Sequence, residues 1–304
     1  MSREVIGRIE HIMYHPVKSG GAIETDTAIL GKEGIVGDRQ FMVVQATPDG
    51  DGIFHFVTQR DRRSKTDKPQ GLAVMSHIKP LVAGDSLYLT WQGLDPIEVP
   101  MDVNAGREIP VQIWDDLARV IDQGDALADW LSSHLNHGVR LVKAAGSAFA
   151  RRASQSYMLN DNRLRFQDAY PGHWFSQDSV DALSASAGEQ VPWQSFRPNI
   201  VISGGLPEIE HAVLSGQFGD VPFLNPKPCV RCPITNIDQA TGEIRHGRAL
   251  RPLSQYKRWR SKSGDVGVIF GENMILQAEG TIHVGDEVVL TERRNPPLVF
   301  GAKV

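Results

Sequence analysis

The chain has 304 residues, 41% of them hydrophobic, and a formal net charge of −4 at neutral pH. That length suffices for two domains with a core each, and the acidic balance argues against a nucleic-acid partner, which usually meets a basic field. Charges at Arg3 and Glu4 interrupt the apolar run that a signal peptide needs, and no stretch approaches a membrane-spanning length, so a cytoplasmic protein with no membrane partner is expected.

The predicted elements are mostly short strands between turns. His15-Pro16-Val17-Lys18-Ser19-Gly20-Gly21 reads as a strand end opening into a glycine-rich turn, whose lysine, hydroxyl and backbone amides suit a phosphate. Gly37-Asp38-Arg39-Gln40 follows, directly before the strand Phe41-Met42-Val43-Val44. Residues 53–57 are β-branched and aromatic, and Leu87, Leu89 and Trp91 alternate along a strand after a Gly84-Asp85 turn. An amphipathic helix starts at Asp125 and runs to about His137, with Gly138 as its stop. Arg165-Phe166-Gln167-Asp168-Ala169-Tyr170-Pro171 is a further candidate for anion contact. A second helix is expected at 178–183 and a third at 253–259. Between them Phe196-Arg197-Pro198-Asn199 runs into the buried strand Ile200-Val201-Ile202, and 281–290 reads as strand, Gly285-Asp286 turn, strand. There is no internal repeat. Strands outnumber helices, so the fold expected is mainly β with inserted helices, an α+β chain of two β-barrel-like domains rather than a doubly wound sheet. The boundary is placed near 115–125, dividing the chain into 1–120 and 121–304.

Cys229 and Cys232 are the only cysteines. They flank Arg231, and a guanidinium favours the thiolate that binds metals or attacks electrophiles. Pro228 and Pro233 disfavour a helix here, so the pair is expected in a loop leaving a strand, with a new strand at 233–237. A structural zinc site with His134 and His137 is one rival reading. A thioredoxin-like dithiol is a poorer one, because that motif opens a helix in a βαβ unit. Taken singly, Arg39 and Arg197 read as surface ion pairs. Lys227 and the Arg151-Arg152 pair read as solvated, His15 as a half-buried strand residue, and Trp174 and Trp193 as core.

Four ordered motifs change the balance. Val17-Lys18-Ser19, Gly37-Asp38-Arg39, Phe196-Arg197-Pro198-Asn199 and Cys229-Val230-Arg231-Cys232 occur as in MOSC proteins with an N-terminal MOSC β-barrel. Over essentially its whole length the chain resembles the mitochondrial amidoxime-reducing components and bacterial MOSC proteins that reduce N-hydroxylated bases. The resemblance implies an N-terminal MOSC barrel, a C-terminal MOSC barrel and a molybdenum cofactor (molybdenum–molybdopterin). It assigns the metal to Cys232, with Cys229 as the rival ligand by spacing. Lys18, Ser19, Arg39, Asp168, Ala169, Arg197, Asn199, Val230 and Arg231 fall on cofactor-contacting positions, and Asp168 is a candidate proton carrier. Gly172-His173-Trp174-Phe175 departs from the family's aliphatic run, which bears on substrate preference. The activity implied is a molybdenum-dependent oxidoreductase that reduces hydroxylamines, amidoximes and N-hydroxylated bases. The cysteines for a fused ferredoxin domain are lacking, so electrons are expected from a separate ferredoxin, reductase or cytochrome-type protein. The alternative is a carrier of the cofactor or of persulfide sulfur with no small-molecule turnover.

Overall fold

The computed structural model describes residues 4–60, 72–84, 86–102, 106–144, 149, 151–153, 163–261, 264 and 266–301. The chain opens with an eleven-residue strand, β1 (Glu4–Tyr14). Next come β2 (Phe41–Gln45), β3 (Phe54–His55), β4 (Glu108–Ile113), β5 (Asp116–Asp122) and β6 (Val139–Lys143). These five form one sheet in the order β2-β6-β5-β4-β3. An isolated bridge from Val44 to Phe56 brings the end of β3 back to β2, so the sheet nearly closes into a barrel.

Both faces of β2 are buried, as its unbroken apolar run requires. Met42 and Val44 point into the barrel with Val111, Val120 and Val142. Phe41 and Val43 point outward, under helix α1 (Asp125–Leu135) and a three-stranded meander of Lys79–Ala83, Ser86–Thr90 and Ile97–Val99. Leu127, Leu131 and Leu135 repeat at helical spacing and form the buried stripe of α1. The helix stops two residues before the expected His137, because Asn136 takes the left-handed cap at φ 48° in place of Gly138.

The remaining strands are β7 (Gly172–Ser176), β8 (Ile200–Ser203), β9 (Val213–Phe218), β10 (Val221–Leu224), β11 (Pro228–Val230), β12 (Arg258–Arg260), β13 (Val266–Leu276) and β14 (Glu287–Arg293). Seven strands close a barrel in the order β7-β8-β1-β14-β9-β10-β13, with β13 pairing back to β7. The third strand in this order is the first in sequence: β1 lies between β8 and β14. Sheet membership therefore does not follow chain order, and residue 120 lies inside β5, which is paired on both sides. The fold is mainly β, with two barrel-like units and few helices.

The expected 178–183 helix is α2 (Gln177–Ala187), capped by the Ser176 hydroxyl accepting from the Asp178 amide at 3.1 Å. The third is α3 (Leu250–Tyr256) and not 253–259. Trp259 belongs to β12, where it alternates with Arg258 and Arg260 and faces inward. The strands expected at 281–290 exist, but they diverge: Gly280–His283 pairs with Thr27–Gly31, while β14 joins the large barrel. Residues 233–237 form a 3-10 turn in place of the expected strand (Pro233–Asn236), since Pro233 suits a first helical position and Thr235 bonds back to the Cys232 carbonyl at 2.9 Å. The proposed turn at Asp85 lies outside the described residues. Among the described residues no helix is long and apolar enough to cross a membrane.

Trp174, fully buried, sits at the centre of the large barrel against Phe218 and Phe223 and donates its indole N–H to Asn225 Oδ1 at 3.0 Å. Trp174→Ala is expected to lower stability by about 3–5 kcal/mol, measured as a shift in urea midpoint. A loss below 1 kcal/mol would show that this ring does not organise the core.

Candidate active site

A cleft of about 210 Å³ opens between the two barrels. The segment after β1 and the segment before β2 are fastened together on its floor. Arg39 N–H bonds the His15 carbonyl at 2.7 Å, Phe41 N–H the Pro16 carbonyl at 2.9 Å, and Lys18 N–H the Phe41 carbonyl at 2.8 Å. The large barrel contributes the segments before β7 and β8 and the cysteine strand β11. Lys18, Ser19, Arg39, Arg197 and Asn199 all line this cleft, and so do Asp168, Ala169, Val230, Arg231, Cys229 and Cys232. Every site residue expected from the sequence therefore meets at one place.

The glycine-rich turn works differently from the expectation. The amides of Gly20 and Gly21 bond the carbonyls of Val17 and Ile78 at 2.9 and 2.8 Å, so they are not offered to an anion. Gly21 is small because a Cβ there would lie 3.0 Å from the Ile78 carbonyl oxygen. The turn presents the Lys18 and Ser19 side chains, and the backbone amides close the turn itself.

Positive charge dominates the cleft. Among the described residues six Lys and Arg line it against one carboxylate, Asp168. Lys18, 6% exposed, donates to the Phe166 carbonyl at 2.7 Å and pairs with Asp168. Burial lowers the pKa of Lys18, and Asp168 offsets part of that. Arg39 bonds Asp38 at 2.6 Å and Asn199 Oδ1 at 3.3 Å. Burial raises the Asp38 carboxyl, yet Arg39 and His15 hold it below its ordinary range. Arg197 is pushed down to about 9, first by burial and then by Arg39. A guanidinium remains charged at neutral pH, so this shift expresses unmet demand for a negative partner. Its Nη1 reaches Gln239 at 2.9 Å, while its buried Nη2 has no hydrogen-bond partner among the described residues. The Nε of Arg231 is orphaned in the same way. These are the features that an anionic group such as a phosphate would satisfy.

Backbone strain gathers at the same place. Among the described residues six non-glycine positions have positive φ, and four of them line the cleft: Ser19 at 65°, Arg39 at 46°, Trp114 at 56° and Arg197 at 53°. Each such residue costs on the order of 1 kcal/mol or more and persists only where its surroundings enforce it.

The two sulfurs are not equivalent. Arg231 Nη1 donates to Cys229 Sγ at 2.9 Å and its Nη2 to the Phe196 carbonyl at 2.7 Å. Burial raises the Cys229 thiol, and Arg231 counters only part of that rise. Cys232 caps the 3-10 turn, and among the described residues its sulfur makes no hydrogen bond. Both thiols are free. No group of three or more His, Cys, Asp or Glu suited to a metal ion occurs among the described residues. His134, on α1, is stacked on Trp130 at 4.4 Å, which leaves the zinc reading without support.

Several site residues gave no signal in the sequence. Trp114, in the turn between β4 and β5, reaches across from the small barrel and donates its indole N–H to Asp168 at 3.1 Å. Arg60 lies over its ring at 4.4 Å. Lys227, expected to be solvated, is half-buried at the cleft above the Tyr170 ring. His173 is buried in the cleft wall, 3.3 Å from Arg231, and burial followed by Arg231 keeps its ring neutral. Arg151 corrects the expectation of a solvated pair: it is 4% exposed, bridges Asp116 at 2.9 Å and bonds the carbonyls of Arg165 and Gln167. It fixes the segment that carries Asp168. His15 is fully buried behind the cleft, and burial with Arg197 and Arg39 keeps it neutral. Trp193 is stacked on His11 at 4.6 Å, away from the cysteines.

The chain matches the MOSC N-terminal beta barrel domain family over residues 6–138 and the MOSC domain family over 161–289. It is 27% identical over 297 residues to mitochondrial amidoxime reducing component 2 of Rattus norvegicus, covering 93% of this chain and 83% of that protein. Mitochondrial amidoxime-reducing component 1 of Homo sapiens is also 27% identical, over 299 residues, with 94% and 83% covered. A molybdenum cofactor sulfurase of Drosophila mojavensis is 27% identical over 297 residues, covering 93% of this chain and 35% of the sulfurase.

Asp168 opens to the cleft on one side. Desolvation favours its protonated form, but Lys18, the Trp114 indole and Arg60 outweigh this and hold its carboxyl at about 2, against 3.8 ordinarily. It is an ionised carboxylate at neutral pH and has no proton to deliver there, which counts against the expected proton-carrier role. Because the folded pKa lies below the unfolded one, its stabilisation is present above pH ~4 and is lost as pH falls towards 2. Asp168→Asn is expected to remove that dependence between pH 4 and 2, followed by urea midpoints at stepped pH. An unchanged acid limb would refute the Lys18–Asp168 coupling.

Proposed function

The chain is a MOSC protein, an N-terminal MOSC β-barrel domain followed by a MOSC domain, and we propose that it is a molybdenum-cofactor-dependent reductase of N-hydroxylated compounds. The single observation that carries this is the meeting of two free thiols with an excess of buried, incompletely partnered cations in one cleft. A thiolate suits a redox-active transition metal, and the cations suit the phosphate of a pterin cofactor. The residues therefore fit the group that the resemblance implies.

In this reading Cys232 ligates the metal, because its sulfur is open while Cys229 is already bonded to Arg231. Lys18, Arg39 and Arg197 hold the phosphate, with Ser19 and Asn199 as hydrogen-bonding neighbours. Asp168, Ala169, Val230 and Arg231 line the remaining contacts. The cofactor would supply redox chemistry for the net reduction of an N–O bond, in which two electrons and two protons are consumed and water is released. The protein's own part is to fix that group, keep Lys18 charged through Asp168, and line the cleft with Trp114 and Tyr170. Electrons come from a separate donor protein, and the substrates are hydroxylamines, amidoximes and N-hydroxylated bases.

Likeness to a molybdenum cofactor sulfurase over most of this chain favours one alternative, a carrier of cofactor or persulfide sulfur. Purified protein that retains molybdenum but turns over no N-oxygenated compound with dithionite-reduced viologen would select it. Turnover with about one molybdenum per chain supports the reductase, and zinc in its place with no turnover overturns both readings.

Cys232→Ser is expected to reduce activity to background and lower bound molybdenum, since an alkoxide is a harder and far more basic ligand than a thiolate. Cys229→Ser should be milder, and a reversal of the two effects moves the metal to Cys229. Arg197→Ala and Lys18→Ala should each weaken cofactor retention by roughly 1.5–3 kcal/mol, tenfold or more in affinity. Unchanged occupancy in both, read by metal analysis after dialysis, removes them from the phosphate site.

A further inference from the structure

Charge is unevenly distributed over this acidic molecule. Residues 244–264 contain seven Lys and Arg and no Asp or Glu, in a chain whose net charge is −4. The run covers α3, β12 and the segments beside them. Arg245 pairs with Glu243, Arg248 with Glu189 and Asp238, and Lys257 with Glu208, while Arg251, Arg258 and Arg260 are exposed. Arg258 bonds the Ser254 carbonyl at 3.2 Å and Arg260 the Gly264 carbonyl at 3.0 Å. Among the described residues no carboxylate pairs with Arg251 or Arg258. Alternation along β12 puts Arg258 and Arg260 on one face and turns Trp259 inward.

The β12 part of this basic ridge, Arg258 and Arg260, lies beside the cysteine strand. β12 pairs with the start of β13, Arg258 with Val268 and Arg260 with Val266. The other edge of the same stretch of β13 carries the cysteine loop: Val230 pairs with Ile269, and Arg231 donates its N–H to Val268 at 2.7 Å. One strand therefore separates ridge from cysteines, which sets their backbones ~10 Å apart at ordinary strand spacing. Trp259 pairs with Gly267, and Val230 lies directly over that glycine, where a Cβ would be 2.5 Å from its Cγ1. Val230 and Val266, beside the ridge, are 47% and 43% exposed.

We propose that the ridge of Arg251, Arg258 and Arg260 is the docking surface for an acidic electron-donor protein that reduces the cofactor in the neighbouring cleft. This rests on the reductase reading and adds to it the place and charge of the partner. Complementary charge at the rim of a contact steers encounter and raises on-rates, with a strong dependence on salt. A ridge one strand from the cysteine strand brings a donor close to the cleft that Val230, Arg231 and Cys232 line. Nucleic acid would also be drawn to arginines, but the adjacency to the cysteines and the acidic remainder of the molecule favour a protein donor.

The test titrates the full-length protein with an acidic [2Fe–2S] ferredoxin and with an acidic flavodoxin, reading binding directly at low and at 0.5 M salt. At least one is expected to bind at low salt and to be released at high salt. The triple variant Arg251→Glu/Arg258→Glu/Arg260→Glu should weaken that binding on the order of tenfold or more. Arg258→Gln alone should weaken it less. Arg119→Glu, exposed on the small barrel, should leave it unchanged, as should viologen-driven turnover in the triple variant. Equal binding by the triple variant and wild type overturns the proposal, as does failure of wild type to bind either donor at low salt. Tighter binding of duplex DNA than of both donors, lost in the triple variant, overturns it in favour of nucleic acid. Absence of viologen-driven turnover in wild type sinks the reductase reading instead, and is distinguishable because binding is read without turnover.

Discussion

Burying positive charge is costly unless each ion finds a partner, and the joint between the two barrels gathers Lys18, Arg39, Arg197 and Arg231 around carboxylates too few to match them. Asp38 serves Arg39 and Asp168 serves Lys18. Arg197 and Arg231 are left with neutral hydrogen-bond partners and with orphaned nitrogens. The left-handed backbone at Ser19, Arg39 and Arg197 adds strain at the same place. Such an arrangement persists because the rest of the molecule over-determines it. The two segments on the floor are fastened by three backbone hydrogen bonds, and Arg151 clamps the segment that carries Asp168. The free energy stored here is available to whatever anion completes the charge balance.

The same constraint explains why the chain is threaded as it is. Lys18 and Arg39 must approach Arg197 and Asn199, which lie some 160 residues further on. Placing β1 inside the large barrel solves this, since the chain leaves β1 at the rim of one barrel and enters the other through β2. Two closed or nearly closed sheets then serve as rigid supports, with the functional side chains on the short segments between them. Sites on loops held by a rigid scaffold are the common solution.

How much of this was legible in the sequence differs by kind of signal. The cysteine pair, the ordered Lys and Arg motifs and the mainly β character were readable, because each rests on residue identity or on local alternation. β2, with its run of four apolar residues, and the core of α2 at 178–183 came through for that reason. Local pattern misjudged Pro233–Asn236 and Trp259, where one proline and one strand pairing override propensity. It was blind to Trp114, His173 and Arg151, whose roles depend on partners 54, 58 and 35 residues away. An arginine that bonds two carbonyls in a buried corner looks the same in a sequence as one waving in solvent. The glycines after Ser19 were read as amide donors, when their amides in fact bond neighbouring carbonyls and their use is close packing.

The position of β1 also bears on how the molecule comes into being. Apart from the short local strand Ile23–Thr25, its hydrogen-bonding neighbours, β8 and β14, are made about 190 and 280 residues after it. The large barrel cannot close until nearly the whole chain exists, whereas the strands of the small barrel are complete by Lys143. Pairings of such sequence separation are slow to form, and an unpaired strand edge is open to wrong partners while it waits. Birth order and assembly order thus run opposite ways in the large barrel: its earliest strand is held in reserve, and its latest, β14, seals it in place.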